Sequence, residues 1–139
     1  MSESAPEAPI DSIGVLGTSV FIARESGRPL DLTRLPARSA VSAITIAELR
    51  WGVLIAADDE TRSRRLDTLA GATRLDPLPV DESVAAAWAL LRQRLKAARA
   101  KMEINDSWIA ATAIAYGWPV VTQDDGFPGD VPGLTVVRV

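Results

Sequence analysis

Short apolar runs alternate along this chain with longer segments whose apolar residues recur at helical spacing, and that alternation constrains the fold more than any other feature. Runs at 13–16, 40–43, 75–78, 119–122 and 134–137 read as strands. Helices are expected at 19–25, at about 46–57, from Asp58 or Asp59 to about Leu69, at 82–101 and at 106–116. Strands that are apolar along their whole length are buried on both faces, and helices between them supply the crossovers that parallel pairing needs. The expectation is an α/β fold, a three-layer α/β/α arrangement around a central, mostly parallel sheet.

Local signals set the expected boundaries. Thr45, with Glu48 three residues later, matches a capping box at the start of the second helix. Gly71 is expected to stop the third helix, and prolines flank the run 75–78, which suits an edge strand. Asp81 caps the longest helix, in which Val84, Trp88, Leu91 and Leu95 form the apolar face. Asn105 is expected to cap the helix before the fourth strand, and Gly117 to close it. Residues 1–12, MSESAPEAPIDS, carry neither a basic nor an apolar targeting segment and read as a tail before one domain at 13–139. No stretch is apolar for the length a membrane helix requires.

Composition narrows the chemistry. With 47% hydrophobic residues and mean hydropathy +0.12, the chain can bury a core. It has no Cys and no His, which excludes disulfides, zinc sites of the Cys/His type, Ser-His and Cys-His triads and histidine bases. A net charge of −3 argues against a broadly basic nucleic-acid binder, though not against basic patches beside an acidic pocket.

The remaining chemistry must use carboxylates, hydroxyls, Lys, Arg or Tyr, and three acids stand where a site would form. Glu48 falls in the helix after the second strand, Asp106 at the start of the helix before the fourth, and Asp124 just past that strand with Asp125 beside it. In a parallel sheet all of these positions gather at the C-terminal strand edge, where such folds place their sites. Acids held together repel one another unless a cation joins them, and an oxygen-only ligand set suits Mg²⁺ or Mn²⁺. Taken singly, each acid has a plainer role: Glu48 as capping-box partner, Asp106 as a first-turn acid, Asp124 and Asp125 as turn residues. Their shared edge favours the site reading. The basic run 92–101 reads as a solvated helix face or as a guide for phosphates. Trp51 and Trp108 read as packing residues and Trp88 as core.

Four ordered segments, VLGTSVFIA (15–23), SAITIAELRWGV (42–53), INDSWIAATAIAYGWPVVTQDDGF (104–127) and GLTVVRV (133–139), resemble the VapC branch of the PIN-domain ribonucleases, from about Ile13 to the C-terminus. The resemblance implies a PIN-like fold and a metal-dependent endoribonuclease, the toxin of a type II toxin–antitoxin system that cleaves RNA and blocks translation in the cytoplasm. It implies Glu48, Asp106 and Asp124 as catalytic metal ligands for Mg²⁺ or Mn²⁺, with Asp125 assisting and with Thr18, Ser19 and Thr122 as orienting hydroxyls. It also implies an RNA substrate, a homodimer, and a VapB-type antitoxin that wraps the toxin in a hetero-oligomer and brings an Arg near the acids. One position departs: the sequence reads LGTSV where the family reads LDTSV, so Gly17 stands at the place of the first Asp, and impaired activity is expected. A replacement introduced in cloning and a naturally degenerate toxin would each produce it. The alternative function is an inactive PIN-like module that binds antitoxin or RNA without cleaving. Gly126 is a smaller departure, at a place where the family often carries a further acid.

Overall fold

The computed structural model describes residues 12–139, so the expected tail lies, apart from Ser12, outside the described residues. The chain forms β1 (Ile13–Leu16), α1 (Thr18–Ser26), a 3₁₀ turn (Leu32–Arg34), β2 (Arg38–Ala40), α2 (Ala43–Leu54), α3 (Asp59–Thr73), α4 (Glu82–Ala98), α5 (Ile104–Tyr116), β3 (Val120–Thr122) and β4 (Val136–Arg138). The strands make one parallel sheet in the order β2-β1-β3-β4.

Side chains alternate across a strand, so adjacent residues serve opposite layers. Val15 and Val120 join Leu91 and Leu95 of α4 and Ile109, Ala110 and Ala113 of α5 in one core. Leu16 and Val121 join Val20 and Phe21 of α1, Leu49 and Val53 of α2 and Leu69 and Ala72 of α3 in the other. The two cores explain why β1 and β3 are apolar without interruption. Gly14 allows close packing within the sheet: a Cβ there would lie 2.7 Å from Val121 Cγ2.

Several boundaries differ from the sequence expectation, each for a local reason. Ser42, not Thr45, caps α2: its Oγ accepts from the Ile44 amide at 3.1 Å, and the helix starts at Ala43. Thr45 is fully buried within the first turn instead. The expected strand at 75–78 reduces to one parallel bridge between Ser42 and Leu78. Pro77 and Pro79 have no amide hydrogen to extend that ladder. Helix α3 runs through Gly71 to Thr73, because Leu69 and Ala72 pack into the core and offset the weak propensity of one glycine. Helix α4 stops at Ala98, where Arg99 adopts a left-handed conformation (φ 53°). Glu103 rather than Asn105 precedes α5, with no side-chain cap bond.

Every strand points the same way, so the C-terminal ends of β1, β2 and β3 share one edge. Helix α5 leads into the start of β3 and therefore has its own N-terminus at that edge. Helices α4 and α5 form a hairpin, which brings the C-terminal end of α4 to the same edge.

Candidate active site

Glu48 is half-buried in α2 and held from α1. Thr18 Oγ1 donates to Glu48 Oε1 at 2.7 Å and lies 3.1 Å from Thr45 Oγ1. The hydroxyl has a single proton, and the carboxylate is the stronger acceptor.

Asp124 is set by the turn after β3. Thr122, fully buried, has its Oγ1 3.1 Å from Ser19 Oγ and accepts from the Asp124 amide at 3.1 Å. The Gln123 amide donates to Ser19 Oγ at 3.0 Å, and the Gly126 amide donates to Asp124 Oδ1 at 2.9 Å. Thr18 of α1 thus holds Glu48, and Ser19 of α1 with Thr122 of β3 holds the turn that carries Asp124.

Asp106 occupies the first turn of α5. Its carboxyl is pushed up to about 6 from an ordinary 3.8, by burial first and then by the charges of Asp124, Glu103 and Glu48. A point one Cβ out from Gly126 lies 3.0 Å from Asp106 Oδ2 and 3.2 Å from Asp124 Oδ1. Asp106 and Asp124 thus approach each other at the Gly126 turn, and Glu48 exerts the weakest of the three charge effects on Asp106.

Two acids stand differently from expectation. Asp125 is fully exposed, and its Oδ1 lies 3.7 Å from Arg138 Nε rather than among the other carboxylates. Glu103, not singled out from the sequence, does act on Asp106. The available signal was its position three residues before Asp106, which one helical turn brings alongside.

A cavity of about 280 Å³ opens beside Glu48 between α1, α2 and α3, lined in part by Thr18, Ile22, Trp51, Ile55 and Arg65. Ile22, Trp51 and Ile55 are 44%, 62% and 53% exposed, so its mouth is apolar as well as accessible.

The donors here are carboxylate and hydroxyl oxygens, the chemistry of a hard divalent cation, and the repelled carboxyl of Asp106 is a group such a cation would relieve. The set is nevertheless sparse: among the described residues no three acids are gathered closely enough to hold one ion. At Gly17, a Cβ would sit 3.3 Å from the Val121 carbonyl oxygen and 3.8 Å from Thr122 Oγ1, at the β3 end that carries Asp124.

Comparison with known proteins gives consistent results. The PIN domain family matches residues 15–129. Ribonuclease VapC5 of Mycobacterium tuberculosis is 51% identical over 91% of this chain and 95% of its own length. Ribonuclease VapC4 of the same organism is 46% identical over 88% of this chain and 93% of its own. The crystal structure of VapBC-5 from M. tuberculosis, a member of the VapBC family of toxin–antitoxin systems, contains a chain that superposes with TM-score 0.83 at 44% identity, covering 92% of this chain and 99% of that one.

Proposed function

Because the chain belongs to the PIN-domain family and is a VapC ribonuclease toxin of a VapBC toxin–antitoxin system, we propose that Glu48, Asp106 and Asp124 form its hydrolytic site, and that Gly17 leaves this site short of one carboxylate. The observation that carries the reading is the approach of Asp106 and Asp124, whose oxygens lie 3.0 and 3.2 Å from one Cβ position at Gly126, beside an Asp106 carboxyl raised by burial and then by the charges of Asp124, Glu103 and Glu48.

In this reading Glu48, Asp106 and Asp124 are the residues that would hold Mg²⁺ or Mn²⁺, which would supply Lewis-acid activation of water and offset charge developing on the RNA phosphate. The chain's own groups do the positioning. Thr18 fixes the rotamer of Glu48, and the Thr122–Ser19 pair fixes the turn that carries Asp124. The start of α5 brings Asp106 to the turn that carries Asp124. Asp125, engaged with Arg138, acts at most on the rim.

A carboxylate at position 17 would complete the set from the β1 side. Gly17 is the N-cap of α1 and makes no side-chain cap bond, a position where Asp is among the preferred residues. Losing a group that positions the reaction costs about 10²-fold or more, so low activity is expected of this chain. The test is RNA cleavage with Mg²⁺ or Mn²⁺, comparing the chain with Gly17→Asp. Cleavage restored by the carboxylate supports the site. Failure of both to cut RNA removes it.

A second reading is favoured by the absence, among the described residues, of three acids gathered around one point. In it the chain has become a module that binds antitoxin or RNA without cutting. Both readings use an antitoxin of the VapB type, whose amphipathic helix the apolar cavity lined by Ile22, Trp51 and Ile55 suits and whose Arg would meet the acids beside it. Among the described residues no helix is long and apolar enough to cross a membrane.

A further inference from the structure

Residues 83–102 hold Arg92, Arg94, Lys96, Arg99 and Lys101 and no acid, on a chain whose net charge is −3. A solvated helix face ordinarily mixes both signs. The helix dipole accounts for cations in the last turn, where Lys96 lies, but its effect fades beyond that turn. It does not account for Arg92, a turn earlier, or for Lys101, past the end of α4.

The side chains divide by what holds them. Arg94 Nη1 donates to the Pro132 carbonyl at 2.7 Å and ties α4 to the loop before β4. Arg92 lies over the Trp88 ring, 5.6 Å from its centroid. Trp88 stacks on Trp108 at 4.5 Å and donates from Nε1 to Ser107 Oγ at 2.9 Å, so Arg92 rests on a platform anchored to α5. Lys96 and Lys101 are exposed, and neither forms an ion pair among the described residues. Arg92, Lys96 and Lys101 line one groove of about 660 Å³ whose floor includes Leu95 and Met102. Met102 lies four residues before Asp106, and the α4–α5 hairpin brings this groove to the sheet edge that carries the acids.

We propose that the groove of Arg92, Lys96 and Lys101 binds the phosphodiester backbone of the RNA substrate and leads it to the acidic site. A concave, un-neutralised row of cations fits a polyanion, whereas the neighbouring acids by themselves would repel one. This inference deepens the ribonuclease reading and rests on it.

The experiment measures binding without metal, so that it stays separate from catalysis. A fluorescent single-stranded RNA oligonucleotide is titrated by anisotropy in EDTA across a range of salt concentrations. The proteins are the full chain, Lys96→Ala/Lys101→Ala, and Arg64→Ala/Arg74→Ala, the last an equal loss of charge on α3 and its C-cap. The lysine variant is expected to flatten the dependence of log affinity on log salt by about 0.7 per lysine. It should weaken binding about equally for unrelated RNA sequences, with the α3 variant unchanged. Equal slopes in all three proteins overturn the groove, as does an absence of RNA binding by the full chain. Binding of poly-glutamate but not RNA overturns it in favour of an acidic protein partner. In each of these cases the cleavage assay on Gly17→Asp still decides the ribonuclease reading independently.

Discussion

Replacing Asp106 by Asn should stabilise this protein, and only above mildly acidic pH. In the folded chain the Asp106 carboxyl keeps its proton up to about 6, against 3.8 ordinarily. Between those values the folded state binds more protons than the unfolded state, so stability falls as pH rises through this window and stays lower above it. The full shift corresponds to about 3 kcal/mol. Asp106 is only half-buried, and solvent screening reduces this to about 1–2 kcal/mol. Asn is nearly isosteric with the protonated acid, so the variant keeps the shape and loses first the cost of burying a charge and then the repulsion from Asp124, Glu103 and Glu48. For a chain of this size each kcal/mol moves Tm by about 3 °C. Thermal unfolding followed by circular dichroism, in EDTA, should therefore show equal Tm for the two proteins near pH 3.5 and a lead of about 3–6 °C for Asp106→Asn at pH 8. Millimolar Mg²⁺ should narrow the lead at pH 8 by stabilising only the parent. A gap that does not change with pH, or a less stable Asn variant at pH 8, would refute the claim that burial and the neighbouring acids raise the Asp106 carboxyl.

The remaining predictions address separate parts of the molecule. Gly17→Asp should make Tm more responsive to Mg²⁺ than it is in the parent chain, while in EDTA the 3.3 Å approach to the Val121 carbonyl should hold any gain from capping α1 below about 1 kcal/mol; a Tm that ignores Mg²⁺ in both would contradict it. In that background Thr18→Val removes the hydrogen bond at 2.7 Å to Glu48 and should lower the cleavage rate about tenfold or more, with RNA affinity in EDTA unchanged. Ser42→Ala should cost about 1 kcal/mol in urea unfolding, whereas the capping-box reading of Thr45 would have Ser42→Ala neutral. Leu91→Ala, at a position of α4 that is 1% exposed in the core shared with α5, should cost about 2–5 kcal/mol without changing the m-value.

How much of this was legible in one dimension depends on the range of the interactions involved. The strand at Ile13–Leu16, the cap at Asp81 and the close at Gly117 were readable, because each depends on neighbours within a turn or on burial that leaves an uninterrupted apolar run. The choice of Ser42 over Thr45 was not, since both fit the local pattern and burial of Thr45 against Thr18 decides between them. The run at 75–78 looked like a strand until the sheet offered it a single bridge.

The carboxylates show the same division. The sequence alone determined the inventory: acids and hydroxyls without His or Cys, spaced along alternating strands and helices so that a parallel sheet must bring Glu48, Asp106 and Asp124 to one edge. Only the tertiary structure decided that Glu103 bears on the Asp106 carboxyl, that Asp125 turns to Arg138, and that Arg92, Lys96 and Lys101 line one groove. The physical reason is that local pattern specifies where an element begins and which face it buries. The strength of a charge, by contrast, depends on distances and desolvation set by residues far away in the chain.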